Sequence, residues 1–504
     1  MRKVPILLFA LAASACAVAV PRIDPAAVVR LQKADALVEA GCYRCLEEAF
    51  EVFGALASGP QPPADVQSRM FTTALLLALR EKELGLEAKP WLDRATALGA
   101  GPEAATYVEI ASSIPWENAG VPEFESARRP APGTLASWKA FLERSESNTV
   151  LDRYLSLSLG CGVERWSLTG LPDRLTTNTY DDEPAIIRYR LGACASALRT
   201  HLETLLDADS RFAEAAFFLG RFASTDYTPD RLSRAHPYLT RAYEAFPEAP
   251  AVATILANVE RGRYEMQRAL ALYDRALTLR PSHRDALLGR VITLTTLGRS
   301  QDAIDSATRL IDLGTWHIGD AYYWRAWNQY QLQKLAEAAV DVAQAKKLLI
   351  NGEVLTLSGI VAYEQKRRND ARREFDDARD INPGNCTASW YLGFIKIEET
   401  AWPAAAEMFA YASSCYRDAA REFQADAAAL SPELSPEARQ YLGSDYDRRI
   451  ADSLRQQARG AFNAAQALIR IGERARAVEH ARIAAQHDDM RERAESLLRS
   501  LEQN

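Results

Sequence analysis

The segment Cys42-Tyr43-Arg44-Cys45 has the C-x-x-C spacing of residues that could carry out thiol chemistry. It stands at the start of a predicted helix over Leu46–Leu56, where the helix dipole would lower the pKa of a thiol. Dithiol oxidoreductases use this arrangement, but their βαβ pattern is missing from this sequence, and no His follows as in a haem-attachment site. We therefore expect Cys42 and Cys45 to form a structural disulfide or to pack as small residues, and we keep a dithiol redox protein as the alternative function.

The other residue types that commonly catalyse reactions have no productive spacing in this sequence. The six histidines share no metal-binding spacing, and there is no second C-x-x-C to complete a zinc site. A Gly-rich phosphate loop and a G-x-S-x-G segment are also missing. Acidic pairs such as Asp376-Asp377 fit solvated helix faces. The sequence thus predicts no catalytic residue, no metal and no cofactor, and we expect a protein that is not an enzyme.

The elements that must position any functional side chain repeat with a period of 34 residues between about 250 and 416. The segments Ala276–Pro281 and Ala378–Pro383 are near-copies, and their prolines lie 102 residues apart, which is three times 34. Small residues keep nearly the same spacing at Ala235, Ala269, Ala303, Ala338, Ala371 and Ala405. Self-similarity at this period indicates a repeat architecture.

A single period, residues 352–385, predicts two amphipathic helices. Gly359 belongs to an apolar face with helical spacing, and Ala371 and Phe375 belong to a second such face. Asn382-Pro383-Gly384 ends the second helix, because Pro cannot continue a helix and Gly suits a left-handed cap. Neither helix can bury its apolar face alone, so successive pairs are expected to stack.

These positions resemble the tetratricopeptide repeat family, whose pattern is W-x2-L-G-x2-Y, then A-x3-F, then A and P. The matching residues are Leu256, Ala257, Ala269, Tyr273, Ala276, Pro281, Gly298, Ala303, Ala326, Ala338, Ala345, Gly359, Ala371, Phe375, Ala378, Pro383, Leu392, Gly393, Ala405, Phe409 and Ala412. In the repeat that starts at Gly319 the register slips by one residue. The resemblance implies an all-α fold, a right-handed α-solenoid of stacked antiparallel helix pairs, and a scaffold for protein–protein interaction.

In this family the first helix of each pair lines the concave surface, so the resemblance implies an aromatic groove. The candidate partner-binding residues are Tyr323, Trp327, Tyr330, Tyr363, Trp390 and Phe394. Tyr and Trp are frequent anchors of binding, and we expect an extended or helical segment of another protein as the partner. The alternative is that several of these residues pack against the next helix pair. The family's carboxylate-clamp subtype needs Lys, Asn and Arg on this surface, which the first helix lines through its fifth, ninth and twelfth positions. Those residue types are absent from these positions here, which disfavours a charged C-terminal peptide as partner.

The sequence divides into five segments separated by breaks in the repeat. They are a signal peptide at 1–20, N-terminal helical repeats at 24–112, an irregular helical insert with linkers at 113–207, the repeat array at 208–418, and a C-terminal helix pair with a capping helix at 456–504. Between the last two segments, Ser431-Pro432 and Ser435-Pro436 interrupt the helical pattern.

The first 20 residues have a basic start, a short apolar core and small residues, as an export signal does. The apolar core is shorter than the 20 or so residues that span a membrane. Ala13-Ser14-Ala15-Cys16 resembles a bacterial lipoprotein signal, in which Cys16 would carry the lipid, and cleavage after Ala15 or Ala19 is the alternative. We expect a bacterial protein that is exported to the periplasm or the cell envelope, with the membrane reached only through such a lipid anchor.

The net charge of −7 over 504 residues is too small to indicate a nucleic acid or a membrane surface as partner. Six cysteines remain after Cys16, and an even number in an exported protein favours disulfides. Cys386 opens the first helix of its pair and Cys415 closes the second, so we expect these two to bond; Cys161 and Cys194 are the next candidate pair. A third functional hypothesis is a structural component of envelope assembly with no discrete ligand.

Overall fold

The computed structural model of the chain describes residues 25–114, 132–144, 149–163, 183–194, 198–226, 228, 230–314, 317–432 and 434–503. Within these ranges the chain forms 24 helices and no strand, which confirms the predicted all-α fold. The predicted signal peptide with Cys16 lies outside the described residues. So do the side chains of Cys161 and Cys194, and both predictions stay predictions.

The first eleven helices form what we call the N-terminal block, residues 25–245. They are α1 Pro25–Ala40, α2 Tyr43–Ala57, α3 Val66–Leu84, α4 Lys89–Leu98, α5 Gly101–Ser113, α6 Pro132–Arg144, α7 Val150–Val163, α8 Ala185–Cys194, α9 Thr200–Ala208, α10 Ala213–Thr225 and α11 Arg231–Ala245. One continuous apolar core runs through this block from Ala27 and reaches Val259 in the helix that follows. Distant parts of the block therefore share a single core.

The turn between α1 and α2 illustrates how closely the elements of the block approach one another. Gly41 has a φ of 70°, and a Cβ there would lie 2.2 Å from the Cβ of Ile186 in α8. Because only glycine has no Cβ and adopts positive φ without cost, this turn can press directly against α8. A contact between residues so far apart in sequence belongs to a globular arrangement rather than to a simple stack.

The next ten helices form five antiparallel pairs, which we call the array. They are α12 Pro250–Gly262, α13 Met266–Leu279, α14 Arg284–Thr296, α15 Ser300–Asp312, α16 Ile318–Gln331, α17 Leu335–Leu348, α18 Gly352–Glu364, α19 Arg368–Ile381, α20 Cys386–Glu398 and α21 Trp402–Ala428. Each even-numbered helix is the first of its pair. The predicted solenoid of antiparallel helix pairs is thus confirmed.

Each pair of the array turns through one residue with positive φ. These residues are Tyr264, Gly298, Gln333, Lys366 and Thr400, with φ values between 59° and 71°. Their spacings are 34, 35, 33 and 34 residues. The longer and then shorter step is the one-residue slip that the sequence predicts for the third pair.

Small residues let the two helices of a pair approach closely, as predicted. A Cβ on Gly359 of α18 would lie 2.6 Å from the ring of Phe375 in α19, so a larger residue there would displace the ring. Phe375 is fully buried and stacks on Tyr391 of the next pair, with ring centroids 5.1 Å apart. One aromatic ring therefore joins the packing within a pair to the packing between pairs.

The array curves with the first helix of each pair on the inside. Contacts between neighbouring pairs join α12 to α14, α14 to α16, α16 to α18 and α18 to α20, which are all first helices. Among the described residues, the second helices of successive pairs do not contact one another to a comparable degree. Since helices on the shorter side of a bent stack approach each other most, the first helices line the concave face.

The end of the molecule consists of α21 and three further helices. These are α22 Pro436–Arg470, α23 Arg474–Ala485 and α24 Asp488–Gln503. α21 continues beyond its pair, and α22 runs back beside it, so that residues 416–432 and 434–455 form an antiparallel extension that we call the arm. The Ser435 hydroxyl begins α22 by accepting a hydrogen bond from the N–H of Ala438 at 3.0 Å. α22 then runs without a break past residue 456, where the sequence predicts the last pair to begin.

The predicted disulfide between Cys386 and Cys415 is confirmed. The two sulfurs are bonded, and the Cα atoms lie 5.5 Å apart at the start of α20 and within α21. The bond lies where α21 leaves the array and becomes the arm. It therefore fastens the base of the arm to the last pair of the array.

Candidate functional site: the concave aromatic face

Three of the predicted binding residues share one face of α16 because of their spacing. Tyr323, Trp327 and Tyr330 are separated by four and three residues, which places them on one face of the helix. All three are half-buried, so part of each ring remains accessible. Since α16 is a first helix, it lies on the inner side of the curved array.

The rings of α16 contact one another and stay uncharged. Trp327 and Tyr330 have ring centroids 6.3 Å apart, and Tyr323 lies 5.2 Å from Trp324. Burial, with the nearby Glu353 carboxylate, raises the pKa of Tyr323 to about 12. Its hydroxyl is therefore neutral at physiological pH and can donate a hydrogen bond to a ligand.

The aromatic row continues from α16 to the next two first helices. Tyr330 interacts with the hydroxyl of Tyr391 in α20, and Tyr391 meets Tyr363 of α18 edge to face at 5.0 Å. The guanidinium of Arg368 lies 3.8 Å from the centroid of the Tyr363 ring. Three helix pairs thus contribute to one surface, which we call the aromatic row: Tyr323, Trp327, Tyr330, Tyr391 and Tyr363.

The other two predicted binding residues have a different environment. Trp390 and Phe394 of α20 lie 5.8 Å and 5.0 Å from the ring of Phe409, which is fully buried. They also pack against a cluster that includes Ala464 and Ala465 of α22. The alternative drawn from the sequence, packing against the next helix pair, describes these two residues. Both remain half-buried, and their role in binding stays a prediction. The same alternative also describes part of the α16 surface, because Tyr323, Trp327 and Tyr330 pack against a cluster that includes Val354, Leu357 and Val361 of α18.

Sequence reasoning missed Tyr391, although it stands next to Trp390. The family pattern assigns position 5 of the first helix to the concave surface, and Tyr391 occupies position 6. In the structure Tyr391 stacks on Phe375 and reaches both Tyr330 and Tyr363. Its aromatic type next to a predicted surface position was the signal that could have found it.

Polar groups beneath the aromatic row fix the orientation of α16. The side-chain amide of Asn328, which is fully buried, donates to the Thr295 hydroxyl at 2.7 Å and to the Trp324 carbonyl at 2.8 Å. Arg325 donates two hydrogen bonds of 2.7 Å to the carboxylate of Asp341 in α17. These bonds hold α16 against α14 and α17, so the half-buried rings of α16 belong to a helix with a fixed orientation.

The Cys42–Cys45 pair forms a disulfide in the interior of the N-terminal block. Both residues are 0% exposed, and the Cys42 sulfur accepts a hydrogen bond from the N–H of Cys45 at 3.1 Å. On either side of Cys42 the backbone is held by buried charges: Arg80 donates to the Gly41 carbonyl, and the N–H of Tyr43 donates to Glu214, both at 2.7 Å. Since a redox dithiol must reach its substrate, this burial favours a structural disulfide over the redox alternative.

Those charges belong to a group that we call the buried charge cluster. Its members are all 0% exposed: Arg80, Glu83, Tyr154, Tyr189, Arg190 and Glu214. Glu83 accepts hydrogen bonds from the hydroxyls of Tyr154 at 2.6 Å and Tyr189 at 2.9 Å. Arg80 lies 3.7 Å from Glu83 and 3.8 Å from Glu214, with its guanidinium 3.3 Å from the centroid of the Tyr189 ring.

Sequence reasoning missed this cluster, and the signal for it was weak. Arg80 and Glu83 follow the apolar run Leu75–Leu79, where charges on one side of a helix usually indicate a solvated face. Burial raises the pKa of Glu214 to about 7, although the positive charge of Arg80 opposes the shift. The cluster is enclosed by helices and joins α3, α7, α8 and α10, so its role is to hold the block together.

The described residues contain no group of three or more His, Cys, Asp or Glu side chains placed to hold a metal ion. None of the helices in the described ranges is long and apolar enough to cross a membrane.

No family model matches this chain, and no curated protein matches it. Among solved structures, YrrB, a tetratricopeptide repeat protein "with an unusual peptide-binding site", is 24% identical, with a TM-score of 0.32, covering 35% of this chain and 91% of its own. Pseudomonas aeruginosa PilF is 14% identical, with a TM-score of 0.37, covering 41% and 96%. A tetratricopeptide repeat protein from Parabacteroides merdae is 17% identical, with a TM-score of 0.34, covering 57% and 99%. At these TM-scores the likenesses carry no conclusion about function.

Proposed function

We propose that this chain is a non-enzymatic scaffold that binds a segment of another protein along the concave side of its array. The observation that carries the proposal is the aromatic row, in which rings from α16, α18 and α20 form one half-buried surface. Rings held by packing lose little conformational freedom on binding, and Tyr and Trp are the residues that most often anchor interfaces.

The chemistry of the row defines the partner more closely. Its side chains are apolar rings with neutral hydroxyls, and the nearest guanidinium, that of Arg368, is already engaged with Tyr363 and with the carboxylate of Glu398 at 2.7 Å. A segment that offers apolar side chains with hydrogen-bond acceptors between them would complement this surface. An extended strand or one face of an amphipathic helix has that character.

We further propose that the protein works outside the cytoplasm. The two disulfides among the described residues, Cys42–Cys45 and Cys386–Cys415, support an oxidising compartment. The basic and apolar start of the sequence adds support for export, and Cys16 is the proposed lipid-bearing residue. The lipid anchor is tested by the mass of the N-terminal peptide of the protein purified from native membranes. A peptide that begins with diacylated Cys16 would support the anchor, and a peptide without lipid that begins after Ala15 or Ala19 would contradict it.

The test of the function compares capture by the wild-type chain with capture by Trp327→Ala/Tyr330→Ala. Affinity purification from envelope extracts followed by quantitative mass spectrometry is the measurement. We expect the enriched partner to fall at least about tenfold, because truncating anchor residues costs about 2 kcal/mol or more.

The matched control is Val340→Ala, which removes an apolar side chain from α17 of the same pair. Val340 is 61% exposed and lies on a second helix, away from the concave side. Capture should be unchanged in this variant. Equal capture by all three proteins, at equal helicity and melting temperature, would contradict binding by the aromatic row and favour the structural hypothesis without a discrete ligand.

A further inference from the structure

The arm touches the far end of the array. The ring of Tyr441, near the start of α22, lies 6.4 Å from the ring of Tyr264, with 35° between their planes. Tyr264 is the positive-φ residue that turns α12 into α13 in the first pair of the array. The two residues are 177 positions apart in the sequence, and the arm itself emerges from the fifth pair.

This contact follows from the curvature of the array. Five pairs in a straight stack would separate the first turn from the fifth pair by several helix diameters of about 10 Å each. Because the first helices are on the inside of the curve, the ends of the array approach each other on the concave side. α21 continues 13 residues past Cys415 to Ala428, a length of roughly 20 Å, which lets the arm cross the remaining gap.

The turn does not require a tyrosine. Positive φ is unfavourable for a bulky residue and natural for glycine, and Gly298 holds the corresponding position in the second pair. Tyr264 therefore adds to this turn a ring that the backbone does not need. Of the five turn residues it is the aromatic one, and it meets an aromatic residue of the arm.

We infer that the arm is a strap that closes the concave side of the array into a ring, and that Tyr264 and Tyr441 form its latch. With the latch closed, the array and the arm together form a ring around the groove. A ligand then enters only as a segment of polypeptide, whereas release of the latch admits a larger partner. The latch is a property of the free chain and does not depend on which partner the groove binds.

The test measures the distance between the arm and the first pair by single-molecule energy transfer in the full-length protein. Dyes on genetically encoded handles at Gln267 in α13 and Ser444 in α22, both exposed, report the state of the latch. The wild-type chain should give one narrow, high-transfer population. Tyr264→Gly should increase the low-transfer population roughly 2- to 10-fold, the effect of losing one aromatic pair, and Tyr441→Ala should do the same.

Gln333→Gly is the matched control, since it makes the same backbone change at the turn of the third pair without touching the arm. Tyr264→Gly relieves positive φ at a bulky residue, so loss of folding does not confuse the result. A broad, low-transfer population in the wild type would overturn the strap. Unchanged transfer in both tyrosine variants, or an equal change in Gln333→Gly, would overturn the latch.

Discussion

The N-terminal block and the array are both built from α-helices, but they are held together in different ways. The block has one continuous core from Ala27 to Val259, with the buried charge cluster inside it. The array has several small cores, each shared by neighbouring helices. In the block, Glu83 bonds to residues 71 and 106 positions away, whereas in the array Gly359 packs on Phe375 within the same pair.

This difference predicts different responses to damage. Long-range contacts in one core fail together, because removing one partner leaves the others buried and unsatisfied. Nearest-neighbour contacts in a stack fail locally, since each interface contributes its own share of stability. The block should behave as one cooperative unit, and the array should tolerate the loss of a single interface.

The largest effect is expected from Glu83→Gln, which removes one of the negative charges from the buried charge cluster. Arg190 then loses the carboxylate that lies 3.4 Å from it, Arg80 keeps that of Glu214, and the block should lose about 4 kcal/mol of unfolding free energy. Urea denaturation with hydrogen exchange measures this loss and shows whether all of the block is affected. The exposed pair of Lys89 and Asp93 supplies the control, because Asp93→Asn should change nothing measurable. Loosening confined to α3 would contradict a cooperative block.

The next effect is expected from Phe375→Ala, which creates a cavity in the array. Phe375 is fully buried between Gly359 and Tyr391, and its truncation should cost about 3 kcal/mol. Hydrogen exchange should accelerate in α18 to α20 while the N-terminal block keeps its protection. If protection fell equally throughout the molecule, the array would be as cooperative as the block.

The two disulfides should differ in both stabilisation and access. In the chain-entropy relation, losing Cys386–Cys415 costs roughly 3 kcal/mol and losing the short Cys42–Cys45 loop roughly 2 kcal/mol, as paired Cys→Ser variants would measure. Cys386 and Cys415 are half-buried and Cys42 and Cys45 are fully buried. Dithiothreitol under native conditions should therefore reduce the array disulfide first, as followed by alkylation and mass spectrometry. Equally fast reduction of Cys42–Cys45 would support the redox alternative.

The last effect is that of pH on the unfolding free energy, and it falls in a different pH range in each of the two regions. Burial raises the pKa of Glu214 from 4.5 to about 7, so the folded block binds an extra proton in this range and loses stability as pH rises through it. For His317, burial lowers the pKa, but hydrogen bonds and charges from Asp285 and Asp320 outweigh it and raise the pKa from 6.5 to about 9. The stabilisation from His317 is complete below about 6.5 and is lost as pH rises through 9.

Urea titrations from pH 5 to pH 9 measure both changes, which should be about 2–3 kcal/mol each because each pKa lies about 2.5 above its ordinary value. In Glu214→Gln, the stability of the block should no longer change with pH between 4.5 and about 7. In His317→Gln, the stability of the array should no longer change with pH between 6.5 and about 9. An upper-range change that survives His317→Gln would assign the pH dependence of the array to another group.

The array was the more predictable region because its information is local. Gly298 and Pro383 mark turns by their own backbone preferences, and the slip at the third pair shows directly in the spacing. The disulfide of Cys386 and Cys415 followed from the length of one antiparallel pair, although α21 continues past Cys415 instead of ending there. Each of these conclusions needs only one period of sequence.

The buried charge cluster and the latch could not be predicted because they depend on contacts across the fold. Nothing near Glu214 in the sequence indicates that it lies beside Arg80, and nothing near Tyr441 indicates Tyr264. The aromatic surface was predictable as a type but not residue by residue. Neighbouring helices decide that Trp390 packs toward Phe409 while Tyr391 joins Tyr330.

The cross-link between Cys386 and Cys415 also has a mechanical meaning. It lies at the point where α21 leaves the last pair of the array and becomes the arm, which acts as a lever on that pair. A force on the tip of that lever is transmitted to α20 through a covalent bond, so it cannot peel α21 from its partner helix. The pivot stays fixed while the tip swings, and a pull on the tip is converted into rotation about one point rather than into unravelling of the stack.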